Sequence, residues 1–511
     1  MHMGQRKHWK KAVQVAGASL LTVAMLAGCS NSNSGTEAGG DTAEAAGADK
    51  GKLSIMLPNF EAENPPENSP VILKLEELTN TDVDLQWVPS SSYDDKFNIT
   101  LASGKLPDLM VVLGKSPSFI NAARAGAFWE LDAYLADYPN LNAMNEIVRN
   151  NASIDGKTYG IYRARELGRN GVTIRKDWLE NLGLDDPKTL DEFYEVLRAF
   201  TFDDPDGNGK DDTYGLVASK FNGPWDNMQI WFGAPNKWEE NAEGKLVPAH
   251  ETEAYMEALR FFRKLYEEGL VNKDFAVMDA TKLPDPFVNG QAGVMIDVAD
   301  NAQRMDQKIL EKDPNATDRV DVLQAMEGPD GLRDMPTSGY SGLIAVSKSS
   351  VKTEDELKKV LSFLDQLNEA ELQDLLYNGI EGQQYEKKGE YIVPTTDKLL
   401  LRDLTGLNQI LMFVPENRYL PIETTPVREK VAEVQIANRD IVIPNPGEPL
   451  ISDVYAKKGP QLDNIINDAR TKFIVGQMDE AGFQQAIQLW KTSGGDEYVQ
   501  EINELYAALK E

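Results

Sequence analysis

Apolar positions along the chain follow two periods. Lys52–Leu57 (Lys-Leu-Ser-Ile-Met-Leu) is a short apolar run that predicts a strand, closed by Pro58-Asn59-Phe60. Val71, Ile72, Leu75 and Leu78 recur at helical spacing over 70–78. Val83-Asp84-Leu85-Gln86-Trp87-Val88 alternates with period two, and Phe97, Leu101 and Ala102 form one stripe of a helix over 93–102. A turn at Gly104-Lys105-Leu106-Pro107 then feeds a buried strand at 109–112. This alternation of strands and helices predicts an α/β fold with a mainly parallel sheet. Ligands bind beyond the carboxyl ends of such strands, where Phe60 and the segment after Val112 lie.

Ile154–Tyr162 reads as a hairpin leading into a crossover, followed by a strand over 170–177 and a short helix over 178–183. Thr189 caps a strong helix to Phe200, with Glu192 placed to complete a capping box. A second strong helix runs from Thr252 to Gly269. Short strands at 291–297 and 342–347, a helix over 353–366 with Asp355 and Glu356 in its first turn, and a mostly helical end from Gln461 complete the pattern.

The N-terminus has its own pattern. Arg6, Lys7, Lys10 and Lys11 precede an uncharged segment, Ala12–Gly28, that ends in Leu26-Ala27-Gly28-Cys29. Basic start, apolar middle and small-residue end make an export signal over 1–28. The final four residues resemble a bacterial lipobox. That resemblance implies a diacylglycerol-modified Cys29 left as the new N-terminus; an ordinary signal peptide or a membrane anchor is the alternative. From Cys29 to Lys50 the chain has no large apolar residue and reads as a flexible linker. No other apolar run reaches spanning length, so the expectation is a soluble body held at the outer face of the cell membrane.

The chain carries 52 Lys+Arg against 82 Asp+Glu, a net charge of -30. Such a surface repels nucleic acid and anionic headgroups, which removes both as partners. Cys29 is the single cysteine, and beyond the signal the one histidine is His250. Cys/His zinc sites, Cys nucleophiles and disulfide frameworks are therefore excluded, and a Ser-His-Asp triad has only His250 to build on. Gly-rich phosphate loops are absent. Carboxylate-only chemistry, as in glycosidases, stays open.

The sharpest chemical motif is Asp204-Pro205-Asp206-Gly207-Asn208-Gly209-Lys210-Asp211-Asp212, with Asp, Asp and Asn at positions 1, 3 and 5, Gly at 6 and Asp at 9. That is three quarters of an EF-hand loop, in which alternate residues turn oxygens inward onto calcium. Gly215 stands at position 12 in place of the bidentate Glu. The expected ligands are Asp204, Asp206, Asn208, the Lys210 carbonyl, Asp212 and, at the vacant place, Thr213 or a water. The loop follows a helix, so the calcium expected here is structural. The alternative is an acidic turn without an ion.

Several segments in fixed order resemble bacterial extracellular solute-binding proteins of family 1, in their large lipoprotein branch. They include Tyr93–Val112, Asp155–Ile161, Ile174–Leu184, Thr189–Leu216, Leu265–Phe275, Asn378–Tyr385 and Phe473–Tyr506. The resemblance implies a two-lobed periplasmic-binding-protein-like fold (type II), with discontinuous lobes joined by hinge strands. One lobe is expected at 51–160 plus 335–375 and the other at 161–334 plus 376–511. It also implies a monomeric receptor that is no enzyme and hands an oligosaccharide to the permease subunits of an ABC importer. A peptide or other small-solute receptor, or a surface glycoside hydrolase or lyase, are the alternatives.

Sugars present CH faces and rings of hydroxyls, which aromatic platforms and planar polar side chains recognise. Aromatic residues outside predicted helices are the candidates: Phe60, Trp225, Trp231, Trp238, Tyr340 and Tyr385, with core packing as the alternative for each. Trp129, Trp178 and Trp490 sit among helical apolar residues and are expected in the core. Arg163, Arg165 and Arg169 cluster at the expected crossover. Arg163 and Arg165 are candidates for a uronate carboxylate, with pairing to local Asp or Glu as the alternative.

Overall fold

A computed structural model describes residues 50–60 and 63–510. The export signal, Cys29 and the linker up to residue 49 lie outside the described residues. Among those described, no helix is long and apolar enough to cross a membrane.

Nine strands build the two larger sheets, beside two small hairpins: β1 Gly51–Asn59, β2 Thr81–Pro89, β3 Leu109–Val112, β4 Ile161–Ala164, β5 Asn170–Arg175, β6 Tyr214–Val217, β7 Ala292–Val298, β8 Val320–Leu323 and β9 Tyr340–Val346. The first sheet has the order β2-β1-β3-β9-β4, and the second β8-β5-β7-β6. β1 pairs in parallel with β2 and β3, while β9 runs antiparallel to both β3 and β4. In the second sheet only β6 and β7 are parallel. The parallel pattern predicted from the sequence thus holds for β1, β2 and β3, whereas β9 runs against its neighbours and most pairings of the second sheet are antiparallel. The sequence pattern does not predict β6 or β8, the short strands at the two edges of the second sheet.

Each sheet has its own core. Leu57, Val111, Ile161 and Ile344 pack in the first with Leu75 and Leu361 from flanking helices. Alternation in the second sheet splits neighbours between two faces. Leu216, Val294 and Ile296 meet Phe262 and Phe473 on one face, whereas Val217 and Met295 meet Val431 on the other. Leu407, Leu411, Met412 and Val414 join the first core. This corrects the expected assignment of all of 376–511 to the second lobe.

Three segments pass together between the sheets. Arg165 N–H donates to the Gly339 carbonyl at 2.8 Å and Thr337 N–H to that of Leu167 at 2.9 Å. Asp334 exchanges backbone bonds with Ile441 and Ile443 at 2.9 and 3.0 Å. The two sheets and this crossover form the two-lobed architecture expected from the resemblance.

Thr189 and Glu192 form the predicted capping box, and Thr353 and Glu356 form a second. β5 ends at Arg175, two residues before the predicted end, and the helix Lys176–Leu182 follows directly. The Gly/Pro/Asn-rich stretch around Trp225, outside the helices predicted from the sequence, holds a helix, Gly223–Trp231. Pro224 occupies its first turn, where a missing N–H does no harm.

Candidate functional site

β6 ends at Val217, and the chain after it turns into the helix Gly223–Trp231. Asn222 and that helix, with the helix Asp453–Ile474, border a cavity of about 540 Å³. Aromatic side chains wall it. Trp238 meets Tyr498 edge-on at 5.2 Å, Tyr455 lies 5.0 Å from Tyr498, and His250 meets Trp490 at 4.5 Å. Asn222, Asn236, Glu448 and Asp463 add polar groups to the lining.

Three buried polar atoms of this lining have no protein hydrogen-bond partner: Gln229 Oε1, His250 Nε2 and Arg470 Nε. The other guanidinium nitrogens of Arg470 are engaged, Nη1 with Asp226 Oδ1 at 2.5 Å and Nη2 with Asn467 Oδ1 at 3.1 Å. Burial alone would lower the Arg470 pKa, but Asp226 and Tyr255 beside it raise it overall, so the charge is kept. Burial, with Lys491 nearby, pushes the His250 imidazole down to about 4, so it is neutral near pH 7. A buried polar group without a partner is costly, and a ligand hydroxyl that supplies the partner relieves that cost.

Lys115, just beyond the end of β3, reaches Glu448 in the lining of this cavity. Its Nζ donates to the Glu448 carbonyl at 2.8 Å and to that of Ser153 at 3.4 Å. Burial, helped by Lys237, pushes its pKa down to about 8 against the opposing pull of Glu448. Lys115 also lines a smaller cavity of about 380 Å³ with Tyr93, Asp94 and Phe97. Polar groups from both bodies thus meet at the strand ends. A larger cavity, about 770 Å³, runs along the first sheet near Ser54 and Asp108, where the Asp108 carboxylate is already bonded to Ser54 N–H and Oγ–H at 2.8 and 2.7 Å.

The residues singled out from the sequence fall in different places. Trp238 lines the cavity, and Phe60 stands exposed at the end of β1. Tyr340, half-buried at the start of β9, donates to the Asn151 carbonyl at 3.5 Å. Trp225 and Trp231 are corrections, because both are core residues. Trp225 packs on Phe262 and Phe275 at 5.1 and 5.2 Å, and Trp231 on Phe193 at 5.8 Å. Their helix packs against other helices, which turns large aromatic residues inward. Tyr385 is a further correction: it is buried in a hairpin with its hydroxyl on Asp374 at 3.0 Å. Trp178 is core as expected, Trp129 is half-buried, and Trp490 is buried yet borders the cavity.

Of the arginines, Arg169 pairs with Asp300 at 2.6 Å. Arg163 is buried and donates to the Ser341 and Asn408 carbonyls at 3.1 and 3.4 Å, which makes it a brace between chain segments. Arg165 faces a separate cavity. The sequence reading missed Gln229, Arg470 and Tyr498 as lining groups. They sit on helices far apart in sequence, and no local spacing marks them.

In the acidic loop, Asp204, Gly207 and Gly209 adopt positive φ, which draws the chain into a tight bend. Asp204 accepts from Asn208 N–H and Gly209 N–H at 3.0 Å each. The Asn208 side-chain amide donates to Asp206 at 2.7 Å and to Asp212 at 3.1 Å. Acidic oxygens therefore converge on one amide donor, a position a cation can take over. Thr213 does not join them, since its hydroxyl is buried and donates to the Phe200 carbonyl at 2.9 Å. Among the described residues, no three His, Cys, Asp or Glu side chains are gathered tightly enough to hold an ion as they stand.

Residues 62–373 match the family profile described as "Bacterial extracellular solute-binding protein". The chain is 48% identical to "Lipoprotein LipO" of Bacillus subtilis (strain 168), with 100% of each chain covered. It is 37% identical to "Polygalacturonan/rhamnogalacturonan-binding protein YtcQ" of the same organism, over 95% of this chain and 96% of that one. Among solved structures, an extracellular solute-binding protein from Bifidobacterium longum subsp. infantis matches with a TM-score of 0.68 at 18% identity, over 90% of this chain and 99% of that one. An EF-hand mutant of Streptococcus pneumoniae FusA in complex with fructo-nystose matches with a TM-score of 0.58 at 20% identity, over 90% and 99%. The alginate-binding protein AlgQ2 without calcium ion matches with a TM-score of 0.56 at 19% identity, over 90% and 98%.

Proposed function

The chain belongs to the bacterial extracellular solute-binding protein family, and from that premise we propose that it captures an oligosaccharide in the aromatic-walled cavity and passes it unaltered to an ABC importer. It is a binding protein and not an enzyme. One observation carries the choice of ligand: Gln229, His250 and Arg470 present buried, unpartnered polar atoms beside Trp238 and Tyr498. Rings of hydroxyls with apolar faces satisfy both kinds of group. The relative named for polygalacturonan and rhamnogalacturonan binding supports the class. In this reading Lys115, the exposed Phe60 and the half-buried Tyr340 contribute from the first body.

The lobes are assigned to 51–164 plus 340–378, with 404–414 added, and to 170–334 plus the rest of the C-terminal part, so that β4 and the helix Ala370–Asn378 stay with the first core. Lobe closure over the cavity brings Lys115 and the Glu448 segment onto the ligand. Cys29 carries the lipid that tethers the protein outside the cell, a reading supported by the relative named as a lipoprotein. The receptor acts as a monomer against the permease subunits.

Calcium is assigned to the loop 204–213 as a structural ion. Asp204, Asp206, Asn208, Asp212 and the Lys210 carbonyl supply its oxygens, with water where Thr213 was expected. The convergence of carboxylates on the Asn208 amide supports this, as do the similar structures of a FusA EF-hand mutant and of AlgQ2 without calcium ion.

Tryptophan fluorescence and calorimetry against a panel of neutral and acidic plant oligosaccharides test the proposal. Saturable binding, weakened by Gln229→Ala and Trp238→Ala, with intact sugar recovered, is expected. Turnover of the sugar, or binding indifferent to both substitutions, overturns it.

A further inference from the structure

A second cavity, about 460 Å³, lies against the crossover and shares no lining residue with the aromatic-walled one. Its most distinctive feature is a cluster of three rings. Tyr377 stacks on Tyr419 with centroids 3.9 Å apart and planes 19° from parallel, and Phe413 contacts both at 6.1 and 5.7 Å. Tyr377 is 40% exposed. Phe413 has φ +56°, a left-handed conformation that bulky residues avoid. Backbone strain of this kind persists where the surroundings enforce it, and it collects at binding sites.

The charges around the cavity are unevenly paired. Glu166 spends both oxygens on Arg439, at 2.8 and 2.6 Å, and Glu416, also in the lining, makes no ion pair among the described residues. Arg165 is exposed and donates to the carbonyl of its own neighbour, Ala164, at 2.8 Å. Among the described residues it has no carboxylate partner, although the chain carries 30 more acidic than basic charges. Arg169, the next arginine along, is taken by Asp300. A guanidinium fork left open beside an exposed aromatic face matches one ligand chemistry, a ring bearing a carboxylate. Asn417 and Gln435, also in the lining, are placed to meet hydroxyls around such a ring.

We propose that this crossover cavity is a second binding site, distinct from the cleft, that takes a hexuronate: the sugar ring lies on the Tyr377–Tyr419 cluster and its carboxylate pairs with Arg165. The cavity is bordered both by Tyr377, on the helix Ala370–Asn378 of the first body, and by Arg439, directly after the helix Pro426–Asn438 that packs on the second sheet. An occupant therefore touches both bodies where the chain crosses between them.

Calorimetric titration of the purified protein with D-galacturonate tests the inference, with D-galactose as the neutral control. Saturable galacturonate binding is expected, weakened at least about tenfold by Arg165→Gln and by Tyr419→Ser, and unchanged by Trp238→Ala or Gln229→Ala. Arg165 is exposed, so its replacement leaves both cores intact, and a thermal melt of each variant checks this. No saturable binding, equal binding of galactose, unchanged affinity in Arg165→Gln, or loss in Trp238→Ala each overturns the second site. Oligosaccharide binding in the cleft without galacturonate binding overturns this inference alone. Galacturonate binding without any cleft ligand overturns the proposed function alone.

Discussion

Arg470 donates to Asp226 at 2.5 Å inside the wall of the cleft cavity, and its side chain is only 4% exposed while that of Asp226 is 33% exposed. Removing one partner of a buried pair leaves the other charge uncompensated. Arg470→Met is expected to lower unfolding free energy by about 3 kcal/mol, near the lower end for such pairs because water reaches Asp226. The double variant Arg470→Met with Asp226→Leu is expected to recover more than half of the loss. Urea denaturation of the three proteins measures both. Oligosaccharide affinity falls in the single and the double variant alike, because the Nε donor is gone from each.

The tryptophans of one short stretch are expected to separate by role. Trp225→Ala empties a core position between Phe262 and Phe275 and is expected to reduce stability by about 3–5 kcal/mol. Ligand affinity of the folded fraction stays as in the wild type. Trp238→Ala removes a ring that borders the cavity, so stability falls less and oligosaccharide affinity falls markedly. Denaturation midpoints paired with calorimetric titrations distinguish the two.

That contrast also marks the limit of what the sequence made legible. Local periodicity placed β1, β2 and β3 and both capped helices, because each is decided within a dozen residues. The Thr189–Glu192 box is an interaction between near neighbours, so the chain announces it directly. The cavity wall is different. Gln229, His250, Arg470 and Tyr498 come together only after helices separated by more than two hundred residues have packed. The pattern around Trp225 predicts no helix, yet tertiary packing makes a helix of it and buries Trp225 and Trp231. Arg163, Arg165 and Arg169 were visible as a cluster, but their partners divide them into a buried brace, an open fork and an ion pair.

The acidic loop offers a test that does not involve the cleft. Asp206 and Asp212 share the Asn208 side-chain amide while Asp204 takes the backbone N–H groups of Asn208 and Gly209, and a divalent cation offsets the repulsion among the three carboxylates. Chelator is expected to lower the melting temperature, and added calcium to restore it. Asp206→Ala is expected to melt at the chelated temperature and to show no calcium response. Sugar affinity measured well below the melting range stays unchanged in all cases, since the loop follows the helix Leu190–Phe202 and lends no side chain to the cavity. An identical melting curve with and without chelator removes the ion from the structure.

His250 gives a pH dependence whose sign follows from its burial. Its imidazole falls from an ordinary 6.5 to about 4, chiefly through burial and secondarily through Lys491, which itself pairs with Glu251 at 2.7 Å. Between those values the unfolded chain binds a proton that the folded chain refuses, so stability rises with pH across the window and falls as pH drops through it. Relative to His250→Gln, the wild type is expected to lose roughly 3 kcal/mol between pH 6.5 and pH 4, with no difference in slope above pH 7. Urea denaturation of both proteins at a series of pH values isolates this contribution, since the carboxylates they share cancel. Because His250 stays neutral from pH 5 upward, ligand affinity in that range is expected to have no inflection near 6.5. An inflection that disappears in His250→Gln would mean that the imidazole ionises in the cleft.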